Sequence, residues 1–268
     1  MNLLQKYKPD IKPLLLLFGV FILARAAFIY FMPATYSKDL YAWLRVIDIL
    51  TQEGNPYSQT EVLNWPPFWM QILYGVHEIS KHTAVSPTRV IQLVLMDGEA
   101  ILMLATYGIL KRFLHCPNPL KLLIIALALN PISILLSCQH CNFDVFVGFW
   151  VLLFIYSLLD FYETGSVASW LMACFFLGIG ILTKTVPVIL SPLLIVGIQK
   201  QKVNVKLFGL LLLFTPVVIG MSIIFSLGHT GVTEHVLGYR SMSGWYGITG
   251  VLDLFNAGML SSIHMARF

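Results

Sequence analysis

Apolar residues fall in long, nearly unbroken runs along this chain. Residues 13–32 (PLLLLFGVFILARAAFIYFM) form the first, and its length suits a helix crossing about 30 Å of hydrocarbon. Runs at 89–110, 119–137, 143–161 and 205–227 predict further spans, and 248–263 is a last apolar run. Residues 167–183 and 186–199 are shorter and meet at Lys184-Thr185-Val186-Pro187. They predict a hairpin whose arms each stop short of a full crossing. No repeat of 20–50 residues is visible. The first run has no small-residue cleavage site after it, so it reads as a span and not as a removed signal peptide.

Two segments break the rhythm. Residues 33–65 are a polar insert rich in aromatics and turn formers, with Leu40, Trp43, Leu44, Ile47 and Leu50 at helical spacing. Gly54-Asn55-Pro56-Tyr57 is a turn that ends this helix. Residues 66–80 (PPFWMQILYGVHEIS) open on two prolines, which suit a helix start. Gln71, His77 and Glu78 interrupt that segment, so it reads as a helix lying in the interface, against the rival of a short span.

Composition agrees with the pattern. The 268 residues are 57% hydrophobic and 11% charged, with mean hydropathy +0.79; a soluble domain carries about 25% charge. The expected class is all-α: a polytopic transmembrane bundle, one domain over 1–268, with a long first non-cytoplasmic loop carrying interfacial helices. The net charge of +4 comes mostly from loop lysines and points to no nucleic acid. Cytoplasmic loops collect Lys and Arg. With 66–80 interfacial, Lys6, Lys8, Lys12, Lys111, Arg112, Lys121, Lys200, Lys202 and Lys206 share one side. The N-terminus is then cytoplasmic. The insert, the Ser137–Asp144 turn, Lys184 and the polar stretch 228–247 gather on the other face.

That face holds the candidate chemistry. Asp39 is either a general base, its pKa raised beside an apolar surface, or the cap of a helix beginning at Leu40; spacing alone favours the cap. His140 can face a cavity or be a hydrogen-bonded structural residue. Asp144 sits in the first turn of a span, where the helix dipole favours negative charge. Lys184 interrupts apolar sequence, so it either snorkels or meets an anion, Asp144 or a ligand phosphate. Glu234, His235, Tyr239, Arg240 and Trp245 lie further on, and Arg suits bidentate phosphate recognition. Within the spans, Arg25 and Asp97 are expected to form an ion pair, with Glu99 able to replace Asp97. Cys138-Gln139-His140-Cys141 has zinc-like residue types, but no second ligand pair follows, so no metal and no cofactor are expected.

In order, the chain shows an acidic residue after the first span, Trp43…Gly54-Asn55-Pro56-Tyr57…Trp65-Pro66-Pro67, then Leu129-Asn130-Pro131…His140-x-Asn142-Phe143-Asp144. A Lys184…Pro187 hairpin and Tyr239-Arg240-Ser241…Gly244-Trp245-Tyr246-Gly247 follow. This order resembles the GT-C superfamily of polytopic glycosyltransferases. The likeness is to bacterial polyprenyl-phosphate-mannose-type transferases and to dolichyl-phosphate-glucose-dependent glucosyltransferases. The resemblance implies a hexosyltransferase with Asp39 as base and Lys184, Arg240 and His140 on the lipid-linked phosphate, with Asp144 and Tyr239 beside them. It implies a polyprenyl- or dolichyl-phosphate sugar as donor, a glycan or lipid-linked acceptor, and membrane lipid as surroundings. A bacterial cell membrane is expected ahead of the endoplasmic reticulum. Lys38-Asp39 stands where a paired acidic motif is usual, which weakens the case for a metal. Family members continue through more spans beyond the position of Phe268, so a fragment or shortened form is expected. The rival classes are a multi-pass transporter or lipid flippase, and a non-catalytic membrane partner.

Overall fold

The first apolar run is helix α1, Ile11–Phe31, in a computed structural model that describes residues 11–32, 37–63, 65–195 and 202–226. Every element among the described residues is helical. The insert forms α2 (Lys38–Thr51), the single turn α3 (Pro56–Gln59) and α4 (Pro67–His82). Helix α5 (Pro87–Arg112) follows, then a broken pair, α6 (Pro119–Ala128) and α7 (Pro131–His140), bent by 49°. Then come α8 (Asp144–Thr164), α9 (Val167–Thr183), a 3-10 turn Val186–Leu190 and α10 (Val203–Ser226). Among the described residues four helices are long and apolar enough to cross a membrane: Lys12–Phe31, Pro87–Arg112, Asp144–Thr164 and Val203–Gly220. The bent pair makes a fifth if taken as one span.

Contacts between helices fix their directions. Arg25 of α1 meets Glu99 of α5, and Ile29 accepts a hydrogen bond from Arg89, so α1 and α5 are antiparallel. The chain therefore leaves α1 and enters α5 at the same end of the bundle. Everything between them, α2 to α4, makes no net passage along it. Helices α5 and α8 run parallel: Gly98 lies against Phe146, Gly148 against Leu102, and Gly108 against Tyr156. Gly165 (φ 69) and Ser166 reverse the chain into α9, the glycine taking the left-handed conformation that closes a helix, and Ser166 capping the next.

Residues 167–183 and the return after them are each shorter than a full crossing, as the sequence predicts. Lys184, just past α9, bonds Asp144 at the start of α8, so α9 runs along nearly the whole of α8. Seventeen residues suffice for about 25 Å at 1.5 Å per residue. The return is not α-helical at first, and it climbs faster per residue. By Leu193 its carbonyl accepts from Tyr162 near the other end of α8.

The predicted span 119–137 is split at Leu129-Asn130-Pro131. Proline has no N–H to donate, and the Asn130 side chain instead caps α7 by accepting from Ile132. A π-turn lies on each side, Ile124–Ala128 and Leu135–His140.

The insert packs by the face its pattern predicts. Leu40, Trp43 and Ile47 are buried, joined by Val46 and Ile49, while Leu44 and Leu50 are partly buried against the same cluster. Helix α4 adds Trp69, Met70, Leu73 and Val76. These side chains meet Phe143, Phe146 and Phe149 of the α7–α8 region. The result is an aromatic layer at one end of the bundle.

Candidate functional site

Three separated segments meet on that layer. Ser37 starts α2, accepting from the Leu40 amide at 3.0 Å and donating through its hydroxyl to the His140 carbonyl at 2.6 Å. Trp43 Nε1 donates to the Cys141 carbonyl at 2.8 Å. Cys141 itself has φ 56, a left-handed conformation uncommon for a residue with a side chain. That turn lets the chain reverse between α7 and α8 and aims 140–144 back at α2.

Because Ser37 is the cap, Asp39 falls in the helix's first turn with its carboxylate free of capping. Spacing alone had favoured Asp39 as the cap; a hydroxyl one position before the helix takes that role. Asp39 Oδ2 instead lies 3.3 Å from His140 Nε2 and accepts from Asn142 Nδ2 at 3.2 Å. Burial raises the Asp39 pKa above 3.8, and nearby Asp144 adds to the rise; His140, Asn142 and Lys184 pull against it. A carboxylate kept partly out of water and held by two neighbours has the character of a general base.

Beside this cluster, Lys184 Nζ bonds Asp144 Oδ1 at 2.7 Å and stands 5.8 Å from the Phe143 ring centroid. Of the fates open to Lys184, the structure has it paired with Asp144. Asn142 links the two pairs: its amide nitrogen serves Asp39 while its Oδ1 accepts from the Asp144 amide at 2.7 Å. Asp39, His140, Asp144 and Lys184 are thus brought together. His140 turns its Nε2 to Asp39. Tyr239 and Arg240, with Glu234, His235 and Trp245, lie outside the described residues.

The floor is aromatic. Trp43, Trp65, Trp69 and Phe143 pack with ring centroids 4.6 to 5.5 Å apart. Asn142 and this floor were not among the residues expected to form the site. The sequence signal for Asn142 was its place two residues before Asp144, where an Asn side chain can turn back on the backbone.

Cys138 and Cys141 are free and buried. Burial pushes the Cys141 thiol up to about 12, and a thiol must be deprotonated to ligate zinc. Among the described residues no three His, Cys, Asp or Glu side chains converge as a metal ion requires.

Inside the bundle, Arg25 pairs with Glu99 and not with Asp97. Nε and Nη2 reach Oε2 and Oε1 at 2.8 and 2.6 Å, with Arg25 0% and Glu99 5% exposed. Asp97 is exposed; two residues along a helix turn a side chain about 200° away. Arg25 also donates to the carbonyls of Ala128 at 2.9 Å and Leu127 at 3.3 Å, which lie beside the break between α6 and α7. Ser133 links the pair, accepting from Arg25 and donating to Glu99.

No family model matches this chain, and no curated protein or solved structure matches it.

Proposed function

We propose that the protein is an integral-membrane glycosyltransferase that moves a hexose from a polyprenyl-phosphate donor to an acceptor hydroxyl. The observation that carries this reading is the convergence of Asp39, His140 and Asn142 with the Asp144–Lys184 pair. These residues come from three parts of the chain and stand at one end of an apolar bundle. An activated sugar phosphate needs little more than a base for the acceptor and a cation for the leaving group.

The acceptor oxygen attacks the anomeric carbon, and Asp39 takes its proton. As the new C–O bond forms, the bond from that carbon to the phosphate oxygen breaks, and the phosphate leaves with the electron pair. Attack opposite the leaving group inverts the anomeric carbon. His140 and Asn142 hold Asp39 through one oxygen, Oδ2. Lys184, 33% exposed at its side chain, exchanges Asp144 for the departing phosphate. A charge placed in advance at a partly dry site stabilises a developing anion more than water does. The aromatic floor offers flat apolar surface to a sugar ring.

The sidedness belongs to the same proposal. Helices α2 to α4 lie along the non-cytoplasmic rim, with the N-terminus cytoplasmic. Charge supports this, since the end opposite Asp39 carries Lys12, Lys111, Arg112, Lys121, Lys202 and Lys206 against Asp160 and Glu163. The broken helix α6–α7 is a feature that transporters share. Here Arg25 occupies the carbonyls beside the break, which favours a structural role for it.

The test is transfer from radiolabelled polyprenyl-phosphate sugars in membranes. The wild type transfers, Asp39→Asn loses at least about 100-fold, and Lys184→Ala loses turnover. Full transfer by Asp39→Asn removes Asp39 as base, and counterflow of an unmodified solute favours transport.

A further inference from the structure

The end of the bundle remote from Asp39 holds a cavity of about 260 Å³ between the start of α1, the end of α5 and the loop into α6. Pro13, Tyr107, Lys111, Cys116 and Asn118 are on its wall. Three donors meet there. Lys111 is exposed, and its Nζ donates to the Tyr107 hydroxyl at 3.3 Å and stands 5.5 Å from that ring's centroid. No carboxylate among the described residues lies within ion-pair distance of it. The neighbouring Arg112 is committed differently, to Asp160 and Glu163. Tyr107 is only 7% exposed, and since its oxygen accepts from Lys111, its own hydrogen is left to donate. Asn118 precedes α6, yet its side chain makes no capping bond, so its amide is uncommitted to the helix.

We propose that this cavity binds a phosphate ester, the headgroup phosphate of an anionic glycerophospholipid or a soluble ester of the same chemistry. An ammonium, a phenol and a carboxamide on one wall suit phosphate oxygens. The neighbouring Lys12 and Lys121 raise the local positive potential. Basic pockets between membrane helices on the positively charged side hold such headgroups. The site is independent of the transferase reading and stands on the opposite end of the bundle.

Native mass spectrometry of the full-length protein in detergent tests it. The protein is titrated with dioleoyl phosphatidylglycerol, dioleoyl phosphatidylcholine or glycerol-1-phosphate. Phosphatidylglycerol binds in preference to phosphatidylcholine; Lys111→Gln weakens it about fivefold, the worth of one lysine at a charged surface, and Lys111→Arg retains it. Lys206→Gln, on the same end but off the cavity, leaves it unchanged. Displacement of the lipid by glycerol-1-phosphate identifies the soluble ester as a ligand of the same pocket, and its failure assigns the lipid. Equal loss in Lys111→Gln and Lys206→Gln, or equal binding of phosphatidylcholine, overturns the proposal.

Discussion

Asp39 lies where burial and three neighbours compete for one proton. Burial dominates, so the folded-state pKa stands above the ordinary 3.8. For an acid with a raised pKa, the stability contribution is full below 3.8 and is lost as pH rises through the folded value. Asp39→Asn removes that loss, and denaturant titration at neutral pH should find this variant no less stable than the wild type. In the proposed transfer Asp39 must be ionised to act as base, so kcat/KM should fall on the acid side through a pKa above 3.8. In its charged form His140 lowers the Asp39 pKa, and His140→Ala should move that limb higher still. A limb that stays put means His140 does not act on Asp39. The buried pair is testable in the same way. Glu99→Ala leaves Arg25 uncompensated and should cost about 3–5 kcal/mol in thermal unfolding in detergent. Asp97→Asn, on the exposed side of α5, should leave the transition where it is.

At this scale the sequence was informative about types and less so about partners. Lys184 was partly legible: a lysine inside apolar sequence either snorkels or meets an anion, and Asp144 was one of the two anions named. The choice between Asp97 and Glu99 was not legible. Both lie on one helix, and only the rotation of α5 against α1 decides which faces Arg25. Ser37 displaced Asp39 as cap by two positions, a margin below what spacing resolves.

The element scale shows why the spans were easy and their ends were not. A run of about 20 apolar residues is long enough to mark a span by itself, whereas the course of 167–195 depends on which helix each arm finds. Helix α9 finds α8 on one side and α10 on the other. A Cβ on Gly178 would overlap the Leu213 carbonyl oxygen, and one on Gly209 would overlap the Trp170 ring. Small residues permit this close approach, as between membrane helices generally. Gly178→Ala should therefore part α9 from α10 at a cost of about 1–3 kcal/mol, the range for overpacked interiors. Gly75→Ala, where a Cβ meets nothing within 4 Å, is the matched control. Equal melting of the two variants would show that the α9–α10 contact is looser than described. The break at Asn130-Pro131 was visible as residues. Its consequence, a bend held by Arg25 across from another helix, was not.

On the scale of the whole molecule, the antiparallel α1 and α5 make the account coherent. They start and end the insert at one end of the bundle, so Asp39, Asp144 and Lys184 share that end while Lys111, Arg112 and Lys121 share the other. The proposed chemistry needs this: base and leaving-group cation must face one compartment. The measurement is sided labelling with a membrane-impermeant maleimide. It uses single-cysteine variants at Lys38, Thr185 and Lys121 in a background whose four native cysteines are replaced. Positions 38 and 185 should label from the non-cytoplasmic side of sealed membranes, and position 121 only after they are opened. Labelling of 38 and 185 from opposite sides would contradict the account at its root.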